Sequence, residues 1–369
     1  MSVATKKKED LSVTSESRLA GLDQLAKEMP LFSEEDYVTS TKITPSGSLA
    51  LDLAIGLGGY PSGCIIDTFG GESAGKSLLS IMAMAQVQKA GGVAVVWDVE
   101  RSYSKNTNWL KVNGVDPAKL RFIKLRPEQG CEQGMEAVEK IAGSGLADLI
   151  VVDSIPAMVT QAQLERAMSE NDMVSARANA MTRHLNRLVS IIDQSKTTVL
   201  FINQLRANMG GGMYEKKEKE TSIFALKHAS SLRMEVTKLI GKDNLKVVDG
   251  VPVGHRIKVK MVKNKLADPY KIAEFDIYYR SGVDVASEIA DIMIGAGVAK
   301  TRGAWVDFDG QQFNGQKKFT DFIREPKNLE KYLKQAKAMA TKLNNFGGRP
   351  VEEGGSVVDS ISVESGEDD

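Results

Sequence analysis

Cys64-Ile-Ile-Asp-Thr-Phe-Gly-Gly-Glu-Ser-Ala-Gly-Lys-Ser-Leu78 is the stretch from which the rest of the chain can be placed. Within it, Gly70, four residues, Gly75, Lys76 and Ser77 fit G-x-x-x-x-G-K-[ST] with no mismatch. The apolar run Cys64–Phe69 before the motif reads as a buried strand. Leu78, Leu79, Ile81, Met82 and Met84 after it are spaced for a helix. A glycine-rich turn arising by chance would lack both flanks. Gly70 and Gly75 let the backbone turn so that its N–H groups point inward at a phosphate. A helix starting near Lys76 adds its positive N-terminal end. Lys76 can then reach the β- and γ-phosphates, and the Ser77 hydroxyl can ligate Mg²⁺. The stretch predicts a nucleoside triphosphate site built from Gly70, Gly71, Glu72, Ser73, Ala74, Gly75, Lys76, Ser77 and Leu78.

The chain carries 48 Lys and Arg against 48 Asp and Glu among 369 residues. A net-neutral chain is no bulk polycation, so any nucleic-acid site must be a local patch. The length allows one large domain and a smaller one. No run approaches the ~20 apolar residues that a membrane span needs, and the polar, lysine-rich start has no signal-peptide pattern. Cys64 and Cys131 have no paired spacing, as suits a reducing compartment.

Downstream of the phosphate loop, Val93-Ala-Val-Val-Trp-Asp98 is a continuous apolar run bounded by glycines, the pattern of a buried parallel strand. It ends in Asp98-Val-Glu100, at the edge of an α/β sheet where ligands bind. Glu100 is the candidate to orient or deprotonate an attacking water; the plainer reading is a helix-starting or solvated carboxylate. Leu120–Leu125 is a further short strand. Ala147-Asp-Leu-Ile-Val-Val-Asp153-Ser154 is the apolar strand ending in Asp that accompanies a phosphate loop, and Asp153 would hold the Mg²⁺ shell with Ser77.

Thr197–Gln204 reads as another buried strand, with Gln204 placed to sense the γ-phosphate. Between the two strands lie a loop around Glu165–Asp172 and a helix with Arg177, Arg183 and Arg187. Arg206–Thr221 holds three consecutive glycines and a charged run, Glu215–Glu220. A loop of this length beside a ligand-binding edge is usually functional; otherwise it is a solvated insertion. Leu232–Leu239 and Arg256–Val262 are strands with a turn at Asp249-Gly250, and Ala273–Tyr279 is one more. Alternating strands and helices followed by successive strands predict an α/β fold, a mainly parallel central sheet with an antiparallel end.

Outside this core, the apolar positions of Leu19–Met29 predict an amphipathic helix, covering either its own core or a neighbouring subunit. Leu49–Leu57 is a helix capped near Ser46-Gly-Ser48. Residues 285–345 read as a small C-terminal α/β unit, with a helix near Ser287–Ala296, a hairpin at Trp305–Phe313 and helical Phe319–Ala340. The division is an N-terminal arm (1–43), an ATPase core (44–284), the small domain (285–345) and an acidic tail (346–369) with the composition of a disordered segment.

Together these residues resemble the bacterial RecA recombinase family over roughly residues 20–345. The matching stretches are Ser46-Gly-Ser-Leu-Ala-Leu-Asp52, Gly70–Ser77, Asp98-Val-Glu100, Val151-Val-Asp-Ser154, Phe201-Ile-Asn-Gln-Leu-Arg206, Ala225-Leu-Lys227, Val262-Lys-Asn-Lys265 and Gly303-Ala-Trp305. A phosphate loop alone identifies only a large superfamily; Phe-Ile-Asn-Gln followed by a glycine-bearing loop and then Val-Lys-Asn-Lys is far more specific. The resemblance implies a RecA-type P-loop core and a DNA-dependent ATPase using ATP and Mg²⁺. It implies filaments on single-stranded DNA, pairing with homologous duplex DNA, loader or single-strand-binding partners, no membrane, and a cytoplasmic, nucleoid-associated location (the host cytoplasm for a phage protein).

The resemblance also implies two DNA-facing loops. The first lies near Glu165–Val174 with Arg177 just after it. The second is Arg206–Ser222, with Arg206, Met213, Tyr214, Lys216, Lys217 and Lys219 as candidate contacts. Lys263 and Lys265 would reach across to a neighbour's γ-phosphate, or else form a solvated surface pair. The adenine-stacking aromatic is Tyr103 or Trp109; distance back from Gly114-Val115 favours Trp109. Ser222-Ile-Phe224 and His228 depart from the family pattern, as in a divergent, for instance phage-encoded, member. A ring-forming relative such as a helicase is the alternative, against which stand Lys263, Lys265 and the small domain. Against a small-molecule kinase stands the lack of a lid segment with paired arginines.

Overall fold

Apolar residues in the central strands alternate between two separate cores, and this sorting organises the fold. The computed structural model describes residues 41–165, 170–207, 218–220, 224–241 and 244–345. From Ile43 onward they belong to one compact unit. The chain opens with β1 (Ile43–Thr44), α1 (Leu49–Ile55), β2 (Tyr60–Pro61), β3 (Ile65–Gly70), α2 (Lys76–Lys89) and β4 (Ala94–Asp98). Then come α3 (Thr107–Val112), β5 (Arg121–Ile123), α4 (Cys131–Gly143), β6 (Leu149–Asp153), α5 (Gln161–Glu165), α6 (Glu170–Ser195) and β7 (Thr198–Ala207). β8 (Glu218–Glu220), α7 (Phe224–Ala229), β9 (Leu232–Lys238), β10 (Leu245–Val248), β11 (Val251–Asn264), β12 (Ile272–Tyr278) and β13 (Gly282–Val283) complete the sheet region. The last stretch holds α8 (Val285–Gly295), β14 (Lys300–Arg302), β15 (Trp305–Phe308), β16 (Gln311–Asn314), α9 (Gln316–Arg324) and α10 (Pro326–Asn345).

The main sheet runs β13-β12-β11-β9-β3-β7-β6-β4-β5. Neighbours from β9 to β5 are parallel. β11, β12 and β13 add antiparallel strands beyond β9. This is the predicted α/β sheet with an antiparallel end. Successive strand side chains point to opposite faces. Ile66, Val96, Val151, Leu200 and Ile202 therefore join Leu51, Leu79 and Met84 of α1 and α2 on one face. Ile65, Val95, Val152, Val199 and Phe201 join Met135 and Val138 of α4 and Leu185 and Leu188 of α6 on the other. Covering both faces is what makes these strands continuous apolar runs.

Beyond β13, β14–β16 form a three-stranded antiparallel sheet. Ile289, Met293, Phe308, Phe319 and Tyr332 make its core, which Leu49 of α1 joins. Buried Glu288 accepts hydrogen bonds from the Ser48 hydroxyl and from the N–H groups of Leu49 and Ala50 at 3.1 and 3.4 Å. Ser48 also caps α1 by accepting from the Leu51 N–H at 3.1 Å.

Four predicted elements differ. α6 begins at Glu170, inside the predicted Glu165–Asp172 loop. Its buried stripe holds Ala180, Met181, Leu185, Leu188 and Ile192. β7 continues to Ala207 and pairs with β8, so both stems of the predicted Arg206–Ser222 loop are strand. The Asp249-Gly250 turn is present, but it joins β11 to β10, which has little buried surface to mark it. The predicted helix Phe319–Ala340 is two helices. Pro326 starts the second and holds Glu325 out of helical geometry, at φ −56° and ψ 133°. The arm helix Leu19–Met29, residues 208–217 and the tail lie outside the described residues.

Candidate active site

Strand register delivers the motif residues to one edge. Gly70 lies beside Gln204 on one side and Val236 on the other. Asp98 is level with Asp153, and Asp153 with Ile202. These are C-terminal ends of parallel strands, where α/β sheets bind ligands. Gly70 admits no side chain, because a Cβ there would sit 2.0 Å from the Val236 carbonyl oxygen. Gly75 caps α2 with φ +102°, a left-handed conformation that glycine adopts without strain.

Lys76 is 7 % exposed. Its ammonium donates to the carbonyls of Gly70 and Gly71 at 3.1 and 2.5 Å, holding the loop closed upon itself. Burial lowers its pKa, while Asp153, Glu100 and Glu72 act in the opposite sense. The Ser77 hydroxyl donates to Asp153 Oδ2 at 2.9 Å. Burial pushes Asp153 up to about 6, against hydrogen bonds from Tyr103 and Ser77 that lower it. A hydroxyl beside a carboxylate is an oxygen donor set suited to Mg²⁺, which takes few protein ligands and completes its shell with phosphate and water. Among the described residues no cluster of three or more His, Cys, Asp or Glu offers a fuller cage.

Glu100 lies two residues beyond β4. The Val99 and Glu100 N–H groups both donate to the Asp153 carbonyl, at 2.7 and 3.2 Å. The Glu100 carboxylate accepts from the Ser154 hydroxyl and, at 2.9 Å, from the Gln204 amide. Lys76, Ser77, Glu100, Asp153 and Gln204 thus line one cavity of about 650 Å³ with residues Glu72–Gly75 and Leu78. Gly70 and Gly71 are not in its lining; they act through the carbonyls that hold Lys76.

Trp109, Lys238, His255, Ile277 and Tyr279 also line the cavity. Trp109 donates its indole N–H to the Tyr279 carbonyl at 3.1 Å. Tyr103 is fully buried, hydrogen-bonded to Ser80 at 2.7 Å, and offers no ring face to the cavity. It is thereby removed as the base-stacking candidate, and Trp109 remains. The sequence reading missed Lys238, His255 and Tyr279. They come from β9, β11 and the residue after β12, which carry no motif, and β11 begins five residues before the predicted strand, so His255 fell outside it. Ser154 stood in a quoted motif with no role assigned.

Lys263 and Lys265 do not join this cavity. Lys263 is level with Arg233 and Asn264 with Leu232, which pairs with Ile66 at the start of β3. That is the opposite sheet edge, about 13 Å along β3 from Gly70 at ~3.3 Å per residue. The Lys263 ammonium donates to the carbonyls of Lys227 and His228 at 2.5 and 3.1 Å, and that of Lys265 to His228 at 3.4 Å. Burial lowers the Lys263 pKa, and the nearby charges of Lys265 and Arg233 act in the same direction.

The DNA candidates are apart again. Arg177 is half-buried, donating to the Pro156 carbonyl at 3.0 Å. Arg206 and Lys219 are register partners in the β7–β8 ribbon. Met213, Tyr214, Lys216 and Lys217 lie outside the described residues. No helix among the described residues is long and apolar enough to cross a membrane.

Fold and site define a phosphate-loop nucleotide-binding α/β protein with its ligand edge on a mainly parallel sheet. Residues 25–284 match the model of the RecA N-terminal domain. Protein RecA of Chlorobaculum parvum is 37 % identical over 304 residues, covering 82 % of this chain and 84 % of that protein. Protein RecA of Nocardioides sp. is 38 % identical over 296 residues, covering 80 % and 81 %. Protein RecA of Streptomyces coelicolor is 38 % identical over 300 residues, covering 80 % and 77 %. The chain belongs to the RecA family.

Proposed function

We propose that this protein is a DNA-dependent ATPase that forms filaments on single-stranded DNA and pairs it with homologous duplex DNA, in recombination and repair in the cytoplasm. The observation that carries the reading is the division of the site. Lys76, Ser77, Glu100, Asp153 and Gln204 converge on one cavity, while Lys263 and Lys265 stand at the opposite edge of the same sheet. Residues Gly70–Leu78 bind the triphosphate. Ser77 and Asp153 hold Mg²⁺, which when bound neutralises developing phosphate charge. Glu100 orients the attacking water and accepts its proton, Gln204 senses the γ-phosphate, and Trp109 stacks on the base. Lys263 and Lys265 supply charge to a neighbour's γ-phosphate. Arg177, Arg206, Met213, Tyr214, Lys216, Lys217 and Lys219 face DNA. Residues 1–43 serve as an assembly arm, and 285–345 as a small C-terminal α/β domain.

A mixing experiment tests this. Lys263→Ala and Glu100→Gln should each bind ATP yet lose most DNA-stimulated hydrolysis. Mixed on one DNA, some interfaces pair an intact Glu100 site with an intact Lys263 donor, and part of the activity returns. No recovery in demonstrably co-assembled protein would refute action between subunits. Electron microscopy with DNA and a slowly hydrolysed ATP analogue distinguishes a filament from a ring.

A further inference from the structure

We propose that Ser154 is a positioning residue for Glu100, tying down one carboxylate oxygen so that the other is presented to the attacking water. This rests on the hydrolytic role of Glu100 proposed above. Both side-chain donors to Glu100, the Ser154 hydroxyl and the Gln204 amide, meet the same oxygen, Oε1. Among the described residues, Oε2 receives no hydrogen bond. Glu100 is itself exposed, and a solvated glutamate on a loop samples several rotamers. The two donors remove that freedom without blocking the second oxygen.

The donors differ in kind. Gln204 is half-exposed at the end of β7, a strand that continues into the β7–β8 ribbon. Once its amide turns to a γ-phosphate, it no longer holds Glu100. Ser154 is wholly buried. Its backbone is extended, and its carbonyl accepts from the Ala157 N–H at 3.2 Å, opening the turn Ile155–Ala157. The Val99 and Glu100 N–H groups are bonded to the adjacent Asp153 carbonyl. Ser154 therefore belongs to the fixed frame, and it becomes the remaining side-chain anchor when Gln204 engages the nucleotide. A hydroxyl also suits the chemistry, since it donates to the carboxylate without neutralising it as a base.

The test is steady-state ATP hydrolysis on single-stranded DNA by Ser154→Ala and Ser154→Thr. A hydrogen bond to a charged group corresponds to a loss of roughly 10- to 100-fold. Ser154→Ala should show that loss in kcat, with KM for ATP within about twofold, because nucleotide is bound by other residues. Ser154→Thr keeps the hydroxyl in an extended backbone that tolerates β-branching and should recover most of kcat. Should Thr overpack the site, the cycle with Glu100→Gln still decides: in that background Ser154→Ala should cost nothing further. An unchanged kcat, a loss confined to KM, or an equal penalty in both backgrounds would overturn the proposal. If wild-type protein hydrolyses no ATP with DNA present, the enzymatic reading itself fails instead.

Discussion

Replacing Asp153 by Asn should make the metal-free protein more stable at neutral pH and leave it nearly unchanged in acid. Asp153 is 2 % exposed, and burial raises its pKa from 3.8 to about 6. The folded chain then holds a proton that the unfolded chain has released. Across that interval the folded state binds more protons, so stability falls as pH rises. The fall starts near the unfolded pKa and is complete above about 6. A shift of about two units at ~1.36 kcal/mol per unit amounts to about 3 kcal/mol. Asn carries no ionisable group and keeps an acceptor for the Ser77 hydroxyl, so it escapes this term. The assay is denaturant unfolding of both proteins in EDTA, without nucleotide, from pH 4.5 to 7.5. The difference between them should grow to about 3 kcal/mol as pH rises past about 6 and then stay level to pH 7.5, because all other titrating groups are shared. Mg²⁺ with nucleotide should reverse the order, since the cation compensates the buried carboxylate only in the wild type. Curves that stay parallel in EDTA would refute the reasoning, showing that the carboxylate is not destabilised by burial.

Lys76→Ala should abolish hydrolysis, because the loop loses the ammonium held by the Gly70 and Gly71 carbonyls and the phosphate loses its counter-charge; a phosphate-release assay reads this directly. Glu100→Gln should retain nucleotide binding and slow turnover by ~10²-fold, a loss the size of a missing general base, and normal turnover would identify the wrong carboxylate. Replacing Lys216, Lys217 and Lys219 together should weaken DNA binding and flatten its salt dependence in a fluorescence titration. If the acidic tail competes with DNA for basic surfaces, truncation after Arg349 should speed loading onto duplex DNA, most clearly at low salt; identical rates would reduce the tail to a solubilising segment.

The phosphate edge was legible in the sequence because its residues are fixed by local rules. A loop that wraps a phosphate needs Gly70, Gly75 and Lys76 at set spacing, and buried parallel strands announce themselves as apolar runs ending in Asp98 and Asp153. The rest of the cavity lining was not legible. Lys238, His255 and Tyr279 reach it through pairings between β9, β11 and β12, and register across antiparallel strands leaves no mark in one chain's pattern. Tyr103 and Trp109 are close in sequence with similar ring chemistry; spacing from Gly114-Val115 favoured Trp109, and the burial of Tyr103 agrees. The start of β10 was lost for a related reason: its mostly exposed residues have no apolar period to read. Ser154 was hidden by type, since a serine after a strand is more often a cap than a hydrogen-bond anchor for a distant carboxylate.

The polarity of the sheet explains why the lysines stand apart from the cavity. β9 runs parallel to β3, so both end at the phosphate edge. β11 runs antiparallel to β9, so it starts at that edge and must finish at the other. One strand therefore carries His255 into its own nucleotide cavity and, eight residues later, Lys263 to the opposite edge. Measured from the level of Gly70, Lys263 lies about 13 Å along the sheet at ~3.3 Å per residue, with β9 standing between β3 and β11. No side-chain rotation closes such a gap, since an extended lysine spans only a fraction of it. If Lys263 and Lys265 meet a γ-phosphate, the phosphate must belong to another chain. An assembly in which one edge of each subunit completes the opposite edge of the next is head-to-tail, and such interfaces give helical filaments unless the rotation closes. β11 would then be a rigid link between two successive sites. Its last residues lie against the Lys227 and His228 carbonyls of α7, just beyond the segment proposed to face DNA. A shift of α7 on DNA binding would alter the hold on both lysines, placing DNA-dependent control at the edge that serves the neighbour rather than at the subunit's own phosphate loop.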